Sequence, residues 1–268
     1  AVAVALLACA DAARAAGRAD EAAGAYGWLL AAGRAPEHVQ GAAFYGLAMC
    51  HPERGLKAAL EGARMERLEI VRAAAAVARD LPGDQVAASF AELVPALPAA
   101  VQPYFLDALA LRGDRAAQPM MLGLTQAADE TVRIAAYEAL GKLGDALAVP
   151  VLVAGAVQGG EEKVVQAARQ ALAVLAADGV DAALVAALAA GEPAAQAEIV
   201  RALGTRKAAG AVPALLRTAR SEDRDLAKES RRSLAVLTTP ADLPELVALL
   251  AEQTVASARG EQIGRAHV

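Results

Sequence analysis

The sequence predicts an all-α repeat array, an α-solenoid of about seven two-helix repeats of 31 residues with a helical hairpin in front. Three observations carry this expectation. Leu47, Ala78, Leu109, Leu140, Leu172, Leu203 and Leu234 stand 31, 31, 31, 32, 31 and 31 residues apart. A fixed period of that length marks units too small to bury their own apolar faces, which must stack on their neighbours. Hydrophobic residues make up 56% of the chain and aromatic ones only 3%, so the core is built from Ala, Leu and Val, with Ala and Leu the strongest helix formers. Within a period, two apolar stripes recur at helical spacing, which gives two antiparallel helices per repeat.

Residues 1–35 form the leading hairpin, with helices over 6–16 and 20–32 turning at Gly17. Tyr26 and Trp28 are expected to pack between this hairpin and the first repeat, since large amphipathic rings gain most from burial. The solenoid then runs over residues 36–254. Its first helices open on an apolar column: Val39, Ile70, Val101, Val132, Val164, Ala195 and Leu226. Its second helices carry another: Ala59, Phe90, Met121, Leu152, Leu184, Leu215 and Leu246. A third column, at Ala136, is small except for Phe105 and Ile199.

The third repeat is irregular. Pro98 and Pro103 resist helical geometry in the residues before them, so its first helix is predicted to start late or kink, with a local change of superhelical curvature. The fourth repeat is the most regular. Its first helix is expected to close at Gly144 through a left-handed glycine, and Pro150 suits the first turn of its second helix. The paired acids Asp129-Glu130, Glu161-Glu162 and Glu222-Asp223 precede first helices, where negative charge offsets the helix dipole. Residues 255–268 form a tail. From residue 262 onward, QIGRAHV reads like a translated sequencing adapter and is expected to be non-native.

Composition excludes several functions. The formal net charge is −5, so the chain lacks the positive field that nucleic acid requires, and no nucleic-acid partner is expected. The apolar start is about half the roughly 20 residues needed to span a bilayer, so no membrane span is expected in this segment. The chain does not begin with Met; a cytoplasmic location is favoured, with an upstream signal peptide left open. Cys9 and Cys50 have no CxxC spacing and read as free, buried thiols. His38 and His51 are too few for a metal site, and no phosphate-binding loop or nucleophile elbow occurs. No catalytic, cofactor-binding or metal residue is assigned. A basic cluster near the end, around Arg217, Arg220 and Arg224, is the candidate contact for an acidic partner, although interleaved acids make the patch mixed.

Val132-Arg133, Ala136, Ala139-Leu140-Gly141, Leu143-Gly144-Asp145 and Ala148-Val149-Pro150 resemble the short HEAT repeat, of the kind found in bacterial HEAT-repeat and phycobilin-lyase-like proteins. The resemblance covers residues 36–253. Gly17, Ala22 and Tyr26 of the hairpin resemble, more loosely, a tetratricopeptide unit. The resemblance implies an armadillo-like right-handed superhelix that docks a protein or peptide on its concave face, lined by second helices. The family's members are often one segment of a larger chain, and the repeat columns together with the absence of catalytic motifs lead to the expectation of a non-enzymatic, monomeric scaffold. The alternative it leaves is a phycobilin-lyase-like or chaperone-like accessory protein holding a chromophore or enzyme subunit. At the Arg133 column the other repeats carry Gln40, Val71, Gln102, Val165, Gln196 and Ala227. No ladder of Asp–Arg pairs is therefore expected, and stability is assigned mainly to apolar stacking.

Overall fold

The computed structural model describes residues 1–31, 35–158 and 160–252, and among these every regular element is helical. The expected tail, the adapter-like residues 262–268 and the end of the solenoid at 254 lie outside them. The chain divides into two bodies, Ala1–Gly144 and Asp145 onward.

In the first body the hairpin is α1 (Val2–Ala15) and α2 (Ala19–Leu30). The first and second helices of three repeats follow: α3 (Glu37–Cys50) with α4 (Pro52–Gly62), α5 (Leu68–Asp80) with α6 (Gln85–Leu93), and α7 (Gln102–Arg112) with α8 (Gln118–Leu124). The body ends on α9 (Glu130–Leu143), a first helix. Successive first helices pack on one another, α3 on α5, α5 on α7 and α7 on α9.

The second body starts with α10 (Val149–Gln158), which completes the fourth repeat. It continues with α11 (Glu162–Val174), α12 (Val180–Ala190), α13 (Pro193–Thr205), α14 (Val212–Thr218) and α15 (Arg224–Leu237). A last helix, α16, is described over 243–252. Here α11 packs on α13 and α13 on α15.

The columns largely fill the cores, with Val101, Ala195 and Leu246 only half-buried. All seven residues of the Ala136 column are buried, the bulky Phe105 and the polar Ser230 included. Phe105 is accommodated by stacking on Phe90, with ring centroids 5.5 Å apart. Ser230 Oγ lies 2.8 Å from both Leu226 O and Thr218 Oγ1, so its burial leaves no orphaned hydroxyl. Six of the seven residues in the Leu140 column are buried, and Leu47 is half-buried.

The first helix of the proline-rich third repeat starts late, as its sequence predicts. In the other repeats the first apolar column residue sits inside its helix, whereas Val101 precedes α7, which starts only at Gln102 with Pro103 in its first turn. In the fourth repeat a 3₁₀ turn over Ala146–Ala148 leads into α10, with Pro150 as its second residue. Gly144 departs from expectation. It is extended, at φ −60° and ψ 165°, not left-handed, because Asp145 at once caps the 3₁₀ turn by accepting from Leu147 N at 2.9 Å. Left-handed ends occur instead at Gly113 (φ 80°) and Lys207 (φ 56°).

The hairpin docks on α3 through a cluster that includes Ala10, Ala22, Tyr26, Leu29, Val39 and Ala43, with the Tyr26 ring its largest member. Tyr26 is fully buried, and a Cβ added to Gly46 of α3 would meet its ring carbons at 2.4 Å, so only glycine allows that approach. Trp28, expected beside it, is 46% exposed. Two residues along a helix point about 200° apart, so Tyr26 and Trp28 cannot share one buried face.

Candidate functional site

Polar contacts along the first helices do more than the sequence suggested. Arg112, at the end of α7, donates through Nη1 to the carbonyls of Ala78 (3.2 Å) and Leu81 (2.6 Å) and through Nη2 to Gly83 O (2.8 Å). Arg206, just past α13, donates through Nη1 to Leu172 O (3.0 Å) and Leu175 O (2.5 Å) and through Nε to Asp181 (2.6 Å). Both arginines reach back by the same 34 and 31 residues, so each closes the carbonyl end of the preceding first helix. The Gln substitutions at the Arg133 column also keep a task. Gln40, Gln102 and Arg133 each donate to the carbonyl five residues back, at Ala35 (2.6 Å), Leu97 (2.8 Å) and Ala128 (2.8 Å). Apolar stacking is thus supplemented by arginine and glutamine bonds to backbone.

In the second body these helices carry an ion network. Glu198 on α13, only 8% exposed, accepts from Arg169 Nε (2.9 Å) and Nη2 (2.7 Å) of α11 and from Arg201 Nη1 (2.6 Å). Burial by itself pushes the Glu198 carboxyl up, but the hydrogen bonds from Arg169 and Arg201 prevail and hold it below its ordinary value. Arg201 Nε also approaches Glu229 of α15 at 3.5 Å. The network lines a small groove of about 170 Å³ between α11 and α13, whose charges are already matched.

A second groove of about 380 Å³ lies between α13 and α15, lined by Arg201, Lys207, Glu229, Arg232 and Val236. Its base is tight. Ser233 Oγ donates to Val200 O at 3.1 Å, and a Cβ on Gly204 would meet that Oγ at 2.5 Å. Among the described residues Lys207 is the non-glycine residue with positive φ, an arrangement that costs about 1–2 kcal/mol. The turn holds it there, since Ala208 N donates to Leu203 O (3.0 Å) while Arg206 is tied to α11.

In the first body the corresponding groove is larger, about 690 Å³, and lies along α1, α3 and α5 among Asp11, Arg14, His38, Tyr45, Glu69 and Arg72. Its charges answer one another: Arg72 pairs with Glu69 (3.2 Å) and sits 5.4 Å over the Tyr104 ring, and Arg14 donates to Tyr26 OH (3.4 Å). Tyr26 OH in turn donates to Asp11 at 2.6 Å, and burial with that bond pushes the phenol up to about 12.

Of the residues singled out from sequence, Arg220 pairs with Glu252 through two bonds (2.7 and 3.2 Å) and donates to Leu216 O (2.8 Å). Arg217 and Arg224 are exposed and make no ion pair among the described residues. Asp129 and Asp223 cap their helices as expected, each accepting from two backbone N–H groups. Cys9 is exposed, contrary to the expected burial, because α1 is the outermost helix of the hairpin and buries only Ala10 and Ala13. Cys50 is half-buried and burial pushes its thiol up. His51 Nε2 lies 3.4 Å from Asp20. Among the described residues no cluster of three or more potential metal ligands occurs, and no helix is long and apolar enough to cross a membrane. The second helices α8, α10 and α14 expose small uncharged residues such as Pro119, Gly123, Pro150, Ala154 and Pro213, whereas α4 exposes Glu53, Arg54, Lys57 and Glu61; the four grooves named here and below lie elsewhere. The fourth, about 330 Å³, is formed by the turns around Pro82 and Gly113. Neither the arginine clamps nor Lys207 was signalled by periodicity, since each occurs in one or two repeats only.

Comparison with known proteins finds the family described as HEAT repeats over residues 86–173 and 182–263. No curated protein matches the sequence. Among solved structures, an engineered protein from the Northeast Structural Genomics Consortium is similar at 20% identity with a TM-score of 0.29, over 78% of this chain and 93% of that one.

Proposed function

This chain belongs to the HEAT-repeat family, whose members commonly serve as protein-interaction scaffolds and are typically not enzymes, and from that premise we propose that it is a non-enzymatic scaffold docking a protein or peptide. The observation that carries the reading is the set of open, charge-lined grooves along its first helices. In both bodies the first helices flank grooves lined by paired charges, among them Arg72 with Glu69 and Arg201 with Glu198 and Glu229. Surfaces of that kind suit an extended or helical segment of another protein, with charged groups fixing register and partner choice. The preferred docking side is therefore the first-helix side.

Peptide display against the immobilised, folded chain tests this. Enriched sequences are expected to bind saturably and to lose binding when the chain is unfolded in urea. If no sequence is enriched over the bare support, or if enrichment survives unfolding, the reading fails.

A further inference from the structure

We propose that the groove between α13 and α15 is a docking site for an acidic peptide segment of a partner protein, its carboxylates held by Lys207 and Arg232 and an adjacent apolar side chain lying on Val236. The inference rests on the scaffold reading and names the chemistry of its partner.

Three observations support it. Lys207 and Arg232 line the groove, are exposed, and make no ion pair or side-chain hydrogen bond among the described residues, whereas the third cation, Arg201, is engaged by Glu198 and Glu229. Nor does the end of α13 consume Lys207. The last carbonyls of that helix are already accepting, Arg201 O from Thr205 Oγ1 (3.0 Å), Ala202 O from Arg206 N (2.9 Å), Leu203 O from Ala208 N (3.0 Å) and Gly204 O from Lys207 N (3.2 Å). The ammonium is therefore unspent, and it is presented by a backbone conformation that a lysine adopts only under constraint.

Arg232 also terminates a line of exposed cations along α15, with Arg224, Lys228 and Arg232 at i, i+4 and i+8. These lie on one side of the helix and repel one another, and of the acids interleaved with them Glu229 is engaged by Arg201 while Asp225 is exposed. In a chain of net charge −5, such a line meets an acidic strand about as long as eight residues of helix, roughly 12 Å. Val236, 61% exposed at the end of the groove, adds an apolar contact between the charges.

The test uses the full chain and a fluorescein-labelled dodecapeptide of repeating Asp-Leu-Glu-Ser, read by fluorescence anisotropy. Saturable binding is expected, weakened by raising salt because exposed charges are screened. The double variant Lys207→Gly with Arg232→Gln is expected to weaken it about tenfold, near the upper end for two exposed ion pairs. Arg115→Gln, an exposed cation of the first body, is expected to leave it unchanged. Lys207→Gly alone relieves the left-handed lysine and is expected to raise the melting temperature by about 2–4 °C, which separates lost binding from lost folding. Unchanged affinity in the double variant overturns the assignment, as does absence of saturable binding. Tighter binding of a single-stranded oligonucleotide that is lost in the same double variant overturns it too. If displayed peptides still bind while the double variant changes nothing, the groove assignment falls and the scaffold reading stands.

Discussion

Arg206 joins two repeats with one side chain. Its guanidinium serves two carbonyls and Asp181 while its side chain is 11% exposed. Arg206→Met keeps much of the volume but leaves buried carbonyls without donors, and is expected to cost about 1–3 kcal/mol in urea unfolding. An Arg115→Met control is expected to fall within about 0.5 kcal/mol. At Tyr26 the consequence is a pH dependence. The folded phenol is pushed up to about 12 from an ordinary 10.0, so the stability tied to its neutral form is complete below pH 10.0 and is lost as pH rises through about 12. Circular dichroism is expected to show the hairpin loosening over that window, and Tyr26→Phe, which has no proton to lose, is expected to remove the step.

Among the elements, α9 is the most regular first helix and the best place to measure packing. Leu140 is fully buried, so Leu140→Ala is expected to cost about 2–5 kcal/mol by opening a cavity. Ala136→Phe is expected to cost about 1–3 kcal/mol by overpacking, although Phe105 fills the same column where Phe90 gives it a stacking partner. Thermal melts of both variants check the register. That register was legible in the sequence because burial in a stacked array imposes one period on Leu140, Ala136 and Val132 and their counterparts. The late start of α7 was legible too, since Pro98 and Pro103 act locally. What escaped was whatever the period does not repeat. Arg112 and Arg206 share a column with Leu81, Leu143 and Leu175, so nothing in the column announces a polar role. The Gln residues at the Arg133 column looked like losses, because their backbone acceptors are set by chain geometry alone. The groove between α13 and α15 depends on the backbone of Lys207 and the close approach of Gly204 to Ser233, neither of which sequence spacing encodes.

Across the whole molecule, cohesion is a property of neighbours. In an array each repeat is held by those beside it, so local opening is cheapest where burial is thinnest. In α16, as described, Leu249 is buried while Leu243, Val247 and Leu250 are 60%, 56% and 65% exposed. Hydrogen exchange is expected to proceed much faster in α16 than in α9, where seven residues are buried. Equal protection in the two helices would contradict this ordering. The arginine clamps carry a different consequence, a mechanical one. The bonds of Arg112 and Arg206 to neutral carbonyls keep their hold in strong salt and at acidic pH, where exchanges between oppositely charged groups, such as Arg206 with Asp181, fade. Drawn out by its ends in strong salt, such a chain is expected to keep its grip at the seams between α5 and α7 and between α11 and α13, where these bonds act as rivets.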